Sequence, residues 1–224
     1  MSVLFLFTNM ETILSILIAD LAGYTALTDI HGGSVAADVV SKFTEITKNS
    51  LAHSCELIET VGDEMMIISK NSDKLLETTF HMRESLLSEI NFLGFHAGLH
   101  RGSCVSINEK LFGTTINLTS RLANYASRNQ VLCTHSFRED LTDLKTYHFT
   151  NLGELKFKNL ATPWEVFEID AHTPKIREHT IDPVCKMHFY IDENSLRSSF
   201  EDQEYYFCSQ ACLDRFKEEP SNFI

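Results

Sequence analysis

The sequence predicts an α+β chain: a mixed domain of split βαβ plan followed by a small cysteine-bearing module. Three observations lead there. Short apolar, β-branched runs alternate with longer stretches of helical periodicity as far as Asp170. Ala171–Thr180 (AHTPKIREHT) interrupts that alternation with a proline, mixed charges and histidines, as a linker does. Beyond it, Cys185, Cys208 and Cys212 crowd into the last forty residues.

The elements follow in order. Thr12–Ala19 is too short and too β-branched for a helix and reads as a buried strand ending at Asp20, with Leu21–Thr25 as a turn. Val35, Val39, Phe43, Ile46 and Leu51 recur at helical spacing, so Ser34–Ala52 is a helix with Ser34 as its N-cap. Cys55–Thr60 and Glu64–Ser69 are strands joined through Val61-Gly62-Asp63 as a hairpin. Asp73–Glu89 is amphipathic and helical, and Phe92–Leu99 and Ser103–Ile107 are strands around a turn at Gly102. Thr115–Ala126 is a helix, and Gln130–Thr134, Tyr147–Leu152 and Trp164–Ile169 are strands. The opening order βαββαβ is that of a ferredoxin-like fold. The expected organisation is a domain over 11–170, a linker over 171–180 and a module over 181–224. The last has 44 residues, a size that usually needs a metal, disulfides or a partner to hold together.

Composition narrows the function. The chain has 224 residues, 43% apolar and 22% charged, which is ordinary for a globular protein. Its net charge of -12 argues against nucleic acid or an anionic membrane as the partner. Its longest N-terminal apolar run, Val3–Phe7, is far short of the ~20 residues a membrane helix needs. It also lacks the basic n-region and cleavage site of a signal peptide, so the expected location is cytoplasmic. Cys55, Cys104 and Cys133 are isolated and read as small buried hydrophobes, whereas the C-terminal trio suggests a metal in a reducing compartment.

Two constellations carry chemistry. Asp20 and Asp63 each follow a strand with a glycine close by; brought together at adjacent strand ends, they would repel unless a hard cation such as Mg²⁺ or Mn²⁺ lay between them. Taken singly, each is also an ordinary turn aspartate. Asn117 and Arg121 stand four apart and share one helix face, the first suited to positioning a hydroxyl and the second to stabilising phosphoryl charge.

The segments ILIADLAGYTAL, ELIETVGDEMMI, FHAGLHRGS, LFGTTINLTSRLANYA and LGELKFKNLATPWEVFEI, in this order and at these separations, resemble the catalytic domain of class III nucleotidyl cyclases over Glu11–Asp170. The resemblance implies that Asp20 and Asp63 hold two Mg²⁺ or Mn²⁺ ions. It makes Asn117 the residue that orients the ribose and Arg121 the one that stabilises the transition state. Either Lys156 or Lys158 would reach the triphosphate. It further implies ATP or GTP as substrate, a 3′,5′-cyclic nucleotide as product, and a homodimer whose sites form between protomers. At the family's base-reading positions this chain has Glu59 and Lys110. Glu59 matches the guanylate type and Lys110 neither type. Hydrogen-bond chemistry allows Glu59 to accept from guanine N1–H and N2–H₂ with Lys110 on O6. It equally allows Glu59 to accept from adenine N6–H₂ with Lys110 on N1. A salt bridge that reads no base is the third option. The unusual Lys110 also leaves room for a catalytically inactive nucleotide-binding, regulatory or metal-sensing protein.

Asp182-Pro-Val-Cys-Lys-Met187, then Tyr205-Tyr-Phe-Cys-Ser-Gln-Ala-Cys212 and Phe216, resemble the YHS domain, a small metal-associated module. Cys208 and Cys212 share a face of a starting helix and Cys185 can approach them. Three thiolates with His188 or His179 would suit Zn²⁺, and Met187 as a ligand would favour Cu⁺.

Overall fold

A computed structural model describes residues 11–107, 110–171 and 179–224. The expected linker therefore lies largely outside the described residues. The strands are β1 (Glu11–Ala22), β2 (Cys55–Val61), β3 (Glu64–Ser69), β4 (Gly94–Ile107), β5 (Lys110–Phe112), β6 (Val131–Thr134), β7 (Tyr147–Leu155), β8 (Trp164–Ala171), β9 (Thr180–Ile181), β10 (His188–Phe189), β11 (Leu196–Phe200) and β12 (Gln203–Phe207). The helices are α1 (Tyr24–Ser50), α2 (Ser72–Ser88), α3 (Thr114–Tyr125), α4 (His135–Glu139) and α5 (Gln210–Glu218). The described residues fall into two compact units. One draws on described residues within 11–20, 51–80 and 96–171, the other on described residues within 21–50, 81–95 and 179–224.

The first unit is built on a mixed sheet of order β2-β3-β1-β4-β6-β8-β7, with β5 paired to β4. The segment β2-β3-β1-β4 is the strand order that a βαββαβ chain produces, as expected from the sequence. β1 earns its central place through Leu14–Ala19, six consecutive buried residues, as a strand covered on both faces requires. Its register against β3 runs from Ser15↔Ser69 to Ala19↔Met65, antiparallel. Helix α3 lies directly on the sheet. A Cβ on Gly98 of β4 would come within 2.5 Å of the Ala123 amide nitrogen and 2.7 Å of the Thr119 carbonyl. Leu118 and Leu122 of α3, with its C-cap Ala126, form an apolar cluster with Leu132, Val166 and Phe157.

Two local expectations change. Gly102 does not make a turn, because β4 runs unbroken from Gly94 to Ile107. The glycine is needed for close approach instead: a Cβ there would lie 2.6 Å from Thr115 Oγ1. Leu21–Thr25 is not an open turn either. β1 continues to Ala22, Gly23 alone turns the chain (φ 104°), and α1 begins at Tyr24. Helix α1 then breaks at Gly32 (φ 80°, ψ 169°), a conformation essentially reserved for glycine, so the helix expected from Ser34 is its second half.

In the second unit, β9 pairs with β10 and β11 with β12, both antiparallel. Phe216 of α5 is buried against Phe207 and Tyr205, with ring centroids 5.0 and 5.1 Å away. The His188 N–H donates to the Phe92 carbonyl at 2.8 Å, tying the C-terminal segment to residues well upstream. Among the described residues no helix is long and apolar enough to cross a membrane.

Candidate active site and a thiol cluster

The first site sits at one end of the β1–β3 pair. The β1–β3 pairing ends at Ala19↔Met65, and Asp20 of β1 and the β2–β3 turn that carries Asp63 both lie just past it, at the same end. That turn is tight. Val61 pairs with Glu64 across Gly62 and Asp63, and Gly62 takes a left-handed φ of 61°. Both aspartates are half-buried.

The electrostatics fit a cation site. Burial pushes the Glu64 carboxyl up, and the charges of Asp20 and Glu59 push it further. Several carboxylates therefore repel one another within reach of Asp20, and hard oxygen donors so arranged suit Mg²⁺ or Mn²⁺. His96 of β4, which sequence reasoning passed over, places Nε2 3.7 Å from Asp20 Oδ2. It stands between the buried Phe95 and Ala97 in a strand, and nothing in its spacing marks it out.

Glu59 owes its direction to a β-bulge. The β2–β3 register slips between Leu57 and Glu59, which re-aims the side chains beyond it. Glu59 and Glu64 then line a cavity of about 170 Å³ with Asn117 and Ser120 of α3, over Ile18 and Met66. Helix α3 buries Thr115, Leu118, Thr119, Leu122 and Ala123 and leaves Asn117 and Arg121 exposed on its other face. Arg121 stands one turn after Asn117 on the same helix and does not line the cavity. Lys110 is exposed on β5, paired with Ile107 across the β4–β5 hairpin. Lys156 and Lys158 are exposed on either side of the buried Phe157. The fold thus brings Glu59 and Asn117 to one cavity, and Lys110, Arg121 and the two lysines do not line it.

The second site lies wholly within the second unit. Asp182 is fully buried and organises two cysteine-bearing loops. Its Oδ1 accepts from the N–H groups of Val184 (2.8 Å) and Cys185 (3.2 Å), and its Oδ2 from the N–H of Cys208 (2.8 Å). Ser209 caps α5 by accepting from the Cys212 N–H at 3.2 Å, which sets Cys212 in the first turn. The sulfurs of Cys185 and Cys208 are 3.4 Å apart and those of Cys208 and Cys212 are 3.9 Å apart, far beyond a disulfide bond.

The fourth donor at this cluster is His31 of α1, whose Nε2 is 3.6 Å from Cys212 Sγ. The ligand atoms of His31, Cys185, Cys208 and Cys212 all lie within 4.8 Å of one another. His188, expected there from the sequence, is not among them. Its Nε2 is 2.9 Å from the Glu89 carbonyl oxygen, and its ring packs on His179, 4.7 Å away. Hydrogen bonding with Cys185 and Cys208 pulls the Cys212 thiol down, and hydrogen bonding with Cys185 and Cys212 pushes the Cys208 thiol up.

Comparison with known proteins divides the chain along its sequence, and the second compact unit draws on both matched segments. Residues 8–170 match the adenylate and guanylate cyclase catalytic domain, and residues 180–224 match the YHS domain. The pH-sensitive adenylate cyclase MT1302 of Mycobacterium tuberculosis is 29% identical over 56% of this chain and 32% of its own length. An adenylate cyclase of Streptomyces coelicolor is 30% identical over 55% of this chain and 32% of its own. The chain thus spans about a third of the length of these two relatives. Among solved structures, the adenylate cyclases of Trypanosoma brucei in their monomeric state share the fold. One superimposes with a TM-score of 0.65 at 19% identity, covering 71% of this chain and 88% of that one.

Proposed function

The chain belongs to the adenylate and guanylate cyclase catalytic-domain family, with a YHS domain behind it. On that premise we propose that it converts a purine nucleoside triphosphate, ATP or GTP, to the 3′,5′-cyclic monophosphate and pyrophosphate as a cytoplasmic signalling enzyme. The observation that carries this reading is the acidic strand end around Asp20, where Glu64 already feels the charges of Asp20 and Glu59. Divalent cations held there by Asp20 and Asp63 would supply Lewis acidity, making the ribose 3′-hydroxyl easier to ionise and screening the triphosphate.

The chain's own residues do the rest. Asn117 holds the ribose so that the 3′-oxygen faces the α-phosphorus in line. As the new P–O bond forms and the bond to pyrophosphate breaks, charge grows on the α-phosphate and the departing bridging oxygen. The Arg121 guanidinium meets it there. Lys156 or Lys158 steadies the β- and γ-phosphates. Glu59 and Lys110 face the base, in either the guanine or the adenine pattern.

A second copy of the chain completes the site. The cavity of about 170 Å³ is smaller than the roughly 300–1,000 Å³ of ordinary ligand pockets. Asn117 and Arg121 point outward from α3, near the exposed apolar Phe112 and Tyr125 in sequence. In a homodimer one protomer gives the aspartates and the other gives Asn117 and Arg121. Complementation tests this. Asp63→Ala and Arg121→Ala should each be inactive alone, and mixing them should restore about a quarter of wild-type activity, since each mixed dimer holds one intact site. Mixtures that stay inactive while exchanging subunits would contradict the shared site.

A further inference from the structure

We propose that His31, Cys185, Cys208 and Cys212 form one tetrahedral Zn²⁺ site, so that the YHS module is closed by a ligand from the cyclase-family part of the chain. The ligand separations fit a tetrahedral zinc ion. Tetrahedral bonds of about 2.3 Å to sulfur and 2.0–2.1 Å to nitrogen put sulfurs about 3.8 Å apart and a sulfur and nitrogen about 3.6 Å apart. The sulfur pairs here are at 3.4 and 3.9 Å, and Cys212 Sγ is 3.6 Å from His31 Nε2. Three thiolates and one imidazole are a Zn²⁺ set, and the fourth, nitrogen donor takes the site away from the all-sulfur environments that select Cu⁺.

The surroundings are built for it. Asp182 holds the backbone on both sides of the site through three accepted hydrogen bonds, the outer support that metal ligands need. Gly32, immediately after His31, breaks α1 in a conformation that only glycine adopts readily, ending the helical turn at the histidine. Two of the thiols are fully buried, so the cluster excludes water on one side.

The consequence concerns the architecture. His31 is in the segment matched to the cyclase domain and the three cysteines are in the segment matched to the YHS domain. Zinc would therefore close a loop of about 150 residues and fasten His31 of α1, eleven residues after Asp20, to the C-terminal module. The site stands whether or not the chain cyclises nucleotides.

Full-length protein, purified reduced, should carry one zinc per chain by elemental analysis. X-ray absorption should then give three sulfur neighbours near 2.3 Å and one imidazole nitrogen near 2.0 Å. His31→Ala should weaken zinc at least about tenfold in competition with a chromogenic chelator, the least that even an outer partner of such a site costs. His179→Ala should leave the affinity unchanged. Stripping zinc from wild type should speed amide exchange across residues 24–31, a readout that needs no variant. Copper in place of zinc, a shell without nitrogen, wild-type affinity in folded His31→Ala, or unchanged exchange at 24–31 would each overturn the proposal.

Discussion

Acid should weaken this fold through one buried histidine, and the size of the effect follows from its surroundings. His100 of β4 is 4% exposed; its Nδ1 engages the hydroxyls of Thr134 at 2.7 Å and Ser136 at 3.2 Å, with the Trp164 ring edge-on at 5.3 Å. Burial lowers its pKa from 6.5 to about 4, because the imidazolium would have to leave water. The native protein thus keeps this ring neutral where the unfolded chain protonates it. The stability it confers is complete above pH 6.5 and drains away as pH falls toward 4. At 1.36 kcal/mol per unit, the loss is about 3 kcal/mol. The perturbation is His100→Gln, which keeps a hydrogen-bonding side chain and never ionises. Urea melts of both proteins between pH 7 and pH 4 give the difference in unfolding free energy, in which the carboxylates common to both cancel. The variant should be the less stable at pH 7, and the gap should close by about 3 kcal/mol by pH 4. A gap independent of pH would refute the reasoning.

Other substitutions separate chemistry from scaffolding. Asn117→Ala and Arg121→Ala should each lower kcat by roughly 10²–10³-fold with little change in nucleotide affinity, read by steady-state kinetics beside equilibrium binding; equal losses in both would contradict a transition-state role. Gly98→Ala should destabilise the fold by about 1–3 kcal/mol in denaturant melts, because its Cβ would meet α3 backbone at 2.5 Å, which cannot swing aside as a side chain can. Asp182→Asn should cost about 1–3 kcal/mol and loosen zinc, since an amide NH₂ would face at least one of the three N–H groups that the carboxylate now satisfies.

What the sequence made legible was local. The alternation of β-branched runs with amphipathic helices specified the βαββαβ order, because burying one face of each element leaves few ways to arrange them. The candidate site was legible as motifs, and its geometry was not. The bulge at Leu57–Glu59 that aims Glu59 carries no glycine or proline to announce it. Gly102 was misread because a glycine inside a strand pattern marks either a turn or a close approach, and only Thr115 from a distant helix decides which. Tyr24–His31 escaped as helix because Gly32-Gly33 ended the periodicity before it accumulated. His31 was hidden for a further reason. Its three cysteine partners lie more than 150 residues away, so no ligand spacing connects them. The incomplete cysteine trio was the one signal, and it led to the nearest histidines in sequence rather than the nearest in space.

The central claim is cyclisation of a purine triphosphate at the Asp20–Asp63 end of the sheet. The most direct measurement incubates the purified protein with ATP or GTP and Mg²⁺ or Mn²⁺, and identifies products by mass spectrometry beside Asp63→Ala. The account predicts a 3′,5′-cyclic nucleotide and an equal amount of pyrophosphate from the wild type and neither from the variant. The base consumed then tells how Glu59 and Lys110 read it. Nucleotide that binds but is returned unchanged, or a product that Asp63→Ala makes equally well, would contradict the account.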